Sequence, residues 1–246
     1  MKKLSLFIAL MIAMATSIPT YAGEFSSEDE KRIKELAIQA ILERPEVIEE
    51  AITRLRQLQE EQKQQAALQV IKKRRNDLIA DPNAPVLGNP KGDVTVVEFF
   101  DYNCPYCKNA MPVVKQLIEA DKNVRLVYRE LPILSEGSIF AARAALAARK
   151  QGKYEELHVK LMSASRADAT YTLRLAKELG LDIEKLKADM EAPEVDQHIQ
   201  LSMDLANGLN INGTPSFVIG NRIAPGLVPI DQLKAMVAEA RASSTE

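Results

Sequence analysis

The chain has 246 residues, with 32 Lys+Arg against 34 Asp+Glu and a formal net charge of −2. Such a balance gives no reason to expect nucleic acid as a partner, and the length suits one large domain or two modest ones. Trp is absent and Phe and Tyr number six each, so aliphatic side chains must build most of the core.

Lys2 and Lys3 precede an apolar run from Leu4 to Ile18, and Thr20-Tyr21-Ala22 follows. This is the pattern of a signal peptide (residues 1–22), with cleavage expected after Ala22. The competing reading is an uncleaved anchor, but the run is shorter than the roughly 20 residues that span a bilayer. No later run is long enough either, so a soluble exported protein in an oxidising compartment is expected.

Residues 23–80 are patterned as helix. Ser26 or Ser27 can cap a first helix, with Asp29 or Glu30 completing a capping box. Ile33, Leu36, Ala37, Ala40 and Ile41 recur at helical spacing. Pro45 interrupts the pattern and can open a second helix, which meets no Gly or Pro until Pro82. About 30 residues of helix would be roughly 45 Å long. Ile48 and Leu55 occupy one seam position of a short heptad and Ala51 and Leu58 the other, after which Gln62, Gln65 and Gln69 turn the seam polar. An apolar start and a hydrophilic stalk follow. So small a region buries its apolar face poorly alone, which favours self-association over folding back on the rest of the chain. The basic run Lys72-Lys73-Arg74-Arg75, close to Glu60, Glu61 and Asp77, reads as a solvated helix face.

Breakers at Asp81-Pro82-Asn83-Ala84-Pro85 and Asn89-Pro90-Lys91-Gly92-Asp93 introduce a second region, residues 81–246. Val94 to Phe100 reads as a buried strand, then come the cysteines, a helix through Met111, Val114, Leu117 and Ile118, and a second strand from Val124 to Arg129. A helical stretch spans about 135–208, with turns near Gly152, Gly180 and Pro193. Gly213-Thr214-Pro215, strands at Ser216–Ile219 and near Arg222–Ala224, and a helix from Ile230 to Arg241 close the chain. The order β-α-β, helical insert, β-β-α predicts an α/β thioredoxin fold with an inserted helical domain, preceded by an N-terminal helical oligomerisation region.

The two cysteines, Cys104 and Cys107, lie at the strand-to-helix junction, where catalytic groups collect in α/β sheets. A bond between them closes almost no chain, so it adds little stability. The free N–H groups of a helix start favour a thiolate at Cys104. Cys104 is therefore expected to be the exposed nucleophile and Cys107, one turn further in, the resolving thiol. Pro105 fits an early helical position. Zinc needs four ligands and this motif offers two; His158 and His198 lie far off in sequence and are expected at the surface or in helix packing. No metal or cofactor is expected. Thr214-Pro215 stands where a cis-proline loop would precede a strand. Glu98, an acid inside an apolar strand, can take the Cys107 proton if buried, or else pairs with a base or reaches solvent.

The runs Val97-Glu98-Phe99-Phe100-Asp101-Tyr102-Asn103-Cys104-Pro105-Tyr106-Cys107, Arg129-Glu130-Leu131-Pro132-Ile133 and Gly213-Thr214-Pro215-Ser216-Phe217-Val218-Ile219-Gly220 resemble the DsbA family of bacterial periplasmic oxidoreductases. Arg44-Pro45-Glu46-Val47-Ile48 resembles the extra N-terminal region of a subgroup that includes ScsC proteins and DsbA-like surface antigens, oligomeric through that region. The resemblance implies catalytic roles for Cys104, Cys107 and Glu98, and substrate binding at Pro105, Tyr106, Thr214 and Pro215. It also implies exported protein substrates with cysteines, an oxidising or reducing membrane redox partner, and a homodimer or homotrimer in the periplasm or associated with the outer membrane or surface. DsbA itself has His and Val where this chain has Tyr106 and Thr214, and threonine there resembles the DsbC isomerases. That difference tilts the expectation toward an isomerase, with or without oxidase activity. The alternatives are a non-enzymatic oligomeric chaperone or surface-associated protein, and a reductase in a metal or cytochrome maturation pathway. Cys-Pro-Tyr-Cys also occurs in glutaredoxins, against which the export signal, the helical insert and the N-terminal helices all count.

Overall fold

The computed structural model describes residues 26–243, so the expected signal peptide and its cleavage point lie outside the described residues. The chain divides into two compact units, Met1–Leu58 and Gln59–Glu246. The first holds helix α1 (Ser27–Glu43) and the beginning of α2 (Glu46–Lys73). The expected capping box forms at Ser26: its hydroxyl accepts from the Asp29 amide at 3.1 Å, and the Asp29 carboxylate accepts from the Ser26 amide at 3.1 Å. No residue of α1 is buried, and Ile33, Leu36, Ile41, Ile48, Leu55 and Leu58 are all exposed, Leu42 at 75%.

The second unit starts earlier in the chain than residue 81. Ile71 of α2 and Leu78 of α3 (Arg75–Ile79) are buried core residues. The basic run is also less uniform than a continuous solvated face. The long helix stops at Lys73, and Arg74 turns to pair with Asp77 at 2.8 Å.

A five-stranded sheet in the order β1-β3-β2-β4-β5 organises this unit, with β1 Val86–Gly88, β2 Val94–Phe100, β3 Val124–Glu130, β4 Ser216–Ile219 and β5 Arg222–Pro225. β2 and β3 are parallel, joined through α4 (Pro105–Ala120), and the other pairs are antiparallel. Strand β1 was not legible as a separate element. Successive side chains of β2 go to opposite faces. Val94, Val96 and Phe100 enter the larger core with Cys107, Val114 and Leu117 of α4, while Val97 and Phe99 enter a smaller core with Ile71, Leu78 and Leu205. Helix α10 (Ile230–Ser243) packs with α4 on the larger-core face.

The insert is five helices: α5 Glu136–Ala148, α6 Tyr154–Ser163, α7 Ala169–Glu178, α8 Ile183–Met190 and α9 Pro193–Gly208. The expected turns at Gly152, Gly180 and Pro193 are present. A further break precedes α7, where the Asp168 carboxylate accepts from the Tyr171 amide at 2.8 Å. In α5 the run of buried alanines lets neighbouring helices approach closely. The whole is a thioredoxin-like fold with a helical insert.

Candidate active site

Cys104 is the N-cap of α4, and Pro105 takes the first helical position, where a missing N–H costs nothing. Across the sheet end, Thr214-Pro215 is a cis peptide, and the Cys104 thiol donates to the Thr214 carbonyl at 3.1 Å. Two segments 110 residues apart therefore meet at one sulfur. This contact corrects the expectation of an exposed nucleophile: Cys104 is only 4% exposed because it lies against the cis-proline loop. Pro105 and Tyr106 are the open residues of the motif, Tyr106 at 62% exposure, and Thr214 is half-buried.

Cys107 is wholly buried. Loss of solvent is the main cause that pushes its thiol well above the ordinary range, and the neighbouring Cys104 adds to the rise. A thiol so placed needs a base before it can attack. Glu98 projects from β2 between Val96 and Phe100, on the face of the sheet that holds Cys107, with Tyr128 and Phe217 opposite it on the adjacent strands. Its carboxyl is buried and Oε1 has no hydrogen-bond partner, so the alternatives of a basic partner or solvent exposure do not hold. Burial raises its pKa to about 8.

The loop from Phe100 to Cys104 is pinned by side chains that sequence reasoning passed over. The Asp101 carboxylate accepts from the Asn103 amide at 2.7 Å, the Leu134 amide at 3.1 Å and the Ser138 hydroxyl at 2.7 Å. Asn103 exchanges hydrogen bonds with Ala167, donating to its carbonyl at 3.1 Å and accepting from its amide at 2.8 Å. The available signal was Asp-x-Asn in a strand-to-helix loop, because short polar side chains there bond to nearby backbone. Lys108, one residue beyond Cys107, donates to the Ala164 carbonyl and so ties the start of α4 to the insert.

Of the two places expected for the histidines, the surface is excluded and helix packing holds: both are buried within their helices. His158 lies in an aromatic cluster with Phe100, Tyr102, Tyr128 and Tyr154, its ring 4.5 Å from that of Tyr128. Its Nδ1 shares a hydrogen bond with the Tyr102 hydroxyl at 3.1 Å. Burial, partly opposed by the charge on Glu130, lowers its pKa to about 4, so it is a neutral packing group. His198 is buried between two carboxylates.

A family model described as a DSBA-like thioredoxin domain matches residues 95–238. A thioredoxin-like oxidoreductase from Silicibacter pomeroyi is 63% identical, with 68% of this chain and 98% of that chain covered and a TM-score of 0.67. Proteus mirabilis ScsC in a transitional conformation is 30% identical over 89% of this chain and all of that one, with a TM-score of 0.65. The match to a Na(+)/H(+) antiporter, NhaA 3 of Salinispora tropica, is 33% identical over 67% of this chain, but it spans only 26% of the antiporter.

Proposed function

Because the chain belongs to the DSBA-like thioredoxin-domain family, whose members are thiol–disulfide oxidoreductases, we propose that it acts on exported proteins in the periplasm as a disulfide isomerase with accompanying oxidase activity. The observation that carries the catalytic reading is the Cys104 thiol held at 3.1 Å from the carbonyl that precedes the cis-proline. The sulfur and the cis-proline loop meet beside the exposed Pro105 and Tyr106, along which an extended substrate can lie.

The chemistry follows from the two thiols. Cys104, as thiolate, attacks one sulfur of a substrate disulfide, forming a Cys104–substrate disulfide and releasing the other substrate sulfur as a thiolate. In isomerisation that released thiolate attacks a different substrate disulfide, and a substrate thiolate then frees Cys104. In resolution Cys107 attacks Sγ of Cys104, giving the Cys104–Cys107 disulfide and a reduced substrate, while its proton passes to Glu98. A base with a pKa of about 8 is ionised in part at neutral pH and holds the proton it receives. Oxidation of a substrate is the reverse. A membrane redox partner resets the pair.

Three features favour isomerisation. Thr214 replaces the valine of the oxidases, Pro105 and Tyr106 form the open lip of the site, and residues 26–58 offer an apolar surface for a homodimer or homotrimer. Among the described residues no helix is long and apolar enough to cross a membrane. Refolding of a scrambled-disulfide protein by the full chain tests the reading. Acceleration that disappears with Cys104→Ala is expected, and a wild-type chain that leaves scrambled substrate unchanged would refute it.

A further inference from the structure

Beneath the sheet end lies a second cluster of buried charge that the thiol chemistry does not use directly. His198 Nδ1 is 2.8 Å from Asp81 Oδ2, and His198 Nε2 is 2.7 Å from Glu130 Oε2. A neutral imidazole has one N–H and one lone pair. Both nitrogens face carboxylates here, so both must donate and the ring is an imidazolium. Burial alone would lower its pKa, but the hydrogen bonds to Asp81 and Glu130 outweigh that and raise it. Asp81 also accepts from the Arg129 guanidinium at 2.6 Å. Two cations therefore balance two anions inside the protein.

The cluster has two outlets. Arg129 donates to the carbonyls of Asp77 and Leu78, the backbone of α3. On the other side, Glu130 Oε1 accepts from the Tyr154 hydroxyl at 2.7 Å. Tyr154 is in turn stacked on His158, ring centroids 5.7 Å apart, and His158 Nδ1 shares a hydrogen bond with the Tyr102 hydroxyl at 3.1 Å. Tyr102 is two residues before Cys104. The backbone makes the same link, since Leu131 donates its amide to the Phe100 carbonyl at 2.8 Å.

We propose that His198 is a positioning residue for the Cys104–Cys107 chemistry: by holding its own positive charge against the Glu130 carboxylate, it sets the charge and hydrogen bonding that Glu130 and Tyr154 present under the loop carrying Cys104. The inference rests on the oxidoreductase reading. Its consequence is electrostatic as well as structural. Without the imidazolium the cluster carries one uncompensated negative charge, which disfavours the Cys104 thiolate and hence the reduced pair.

The test uses the full chain with His198→Gln, Tyr154→Phe and the double variant. Two quantities are read: the equilibrium of the Cys104–Cys107 pair with reduced and oxidised glutathione, and the pH profile of Cys104 alkylation by iodoacetamide. In the glutathione equilibrium two thiols of glutathione reduce the protein disulfide to its dithiol and leave as glutathione disulfide. His198→Gln is expected to move that equilibrium toward the protein disulfide by about three- to tenfold, the size of one partly screened charge, and to move the alkylation midpoint upward. Tyr154→Phe should act in the same direction, and the double variant should fall short of the sum, because both act through Glu130. Folded variants with wild-type equilibrium and wild-type alkylation profile would overturn the role of His198. If His198→Gln does not fold, Tyr154→Phe alone decides by the same criterion. A wild-type chain that exchanges no disulfide with glutathione would instead overturn the oxidoreductase reading, and this inference with it.

Discussion

Replacing Glu98 by Gln keeps the shape of a buried side chain and removes its acid. The folded protein holds the Glu98 proton to about pH 8, against an ordinary 4.5. The stability this contributes is fully present below pH 4.5 and is lost as the pH rises through about 8. Wild type should therefore lose stability relative to Glu98→Gln across that window, on the order of 2–5 kcal/mol, measured by urea unfolding at several pH values. The same variant should resolve mixed disulfides more slowly, because the Cys107 proton loses its acceptor. A variant equal to wild type in both respects would remove Glu98 from the mechanism. Asp81 has the opposite sign: its pKa is lowered to about 2, burial being outweighed by hydrogen bonds from His198 and the Asn83 amide. Its contribution is present above the ordinary 3.8 and is lost as the pH falls through about 2.

At the level of elements, the site is a junction of the β2–α4 loop, the cis-proline loop and the insert. Thr214 meets Cys104 through its backbone carbonyl, so Thr214→Val should keep that contact and change only the surface offered to substrate. The expected outcome is slower reshuffling of scrambled substrate with oxidation of reduced substrate preserved. Equal losses in both assays would contradict a role in the choice between them. Asn103→Ala severs the ties to Ser138 and Ala167 and leaves partners unpaired. A loss of about 1–3 kcal/mol in thermal or urea unfolding is expected. These two segments also divide what could be read in advance. Cys104, Cys107, Glu98 and Thr214-Pro215 stood out because each breaks a local pattern: thiols at a helix start, an acid in an apolar strand, a proline before a strand. His198, Asp81 and Glu130 did not, because their meaning lies in contacts across 117 and 68 residues of chain. Strand β1 was hidden between two turns, and the break before α7 depends on a cap that resembles any solvated aspartate.

On the scale of the whole molecule, two compact units imply two separable jobs. Residues Gln59–Glu246 own the sheet, both cores and all the site residues. The apolar positions of residues 26–58 stay exposed within their own unit, and contiguous exposed apolar surface marks an interaction site. The full chain should sediment as a dimer or trimer and a chain starting at Gln59 as a monomer that retains thiol exchange. Equal monomeric masses would remove the oligomerisation role of the N-terminal helices without touching the site. The proposed activity stands on one sulfur, and the measurement that meets it most directly is reshuffling of a scrambled-disulfide protein by the full chain and by its Cys104→Ala variant. The predicted result is a clear acceleration by the wild type and a fall to the uncatalysed rate in the variant. Equal acceleration by both would contradict it.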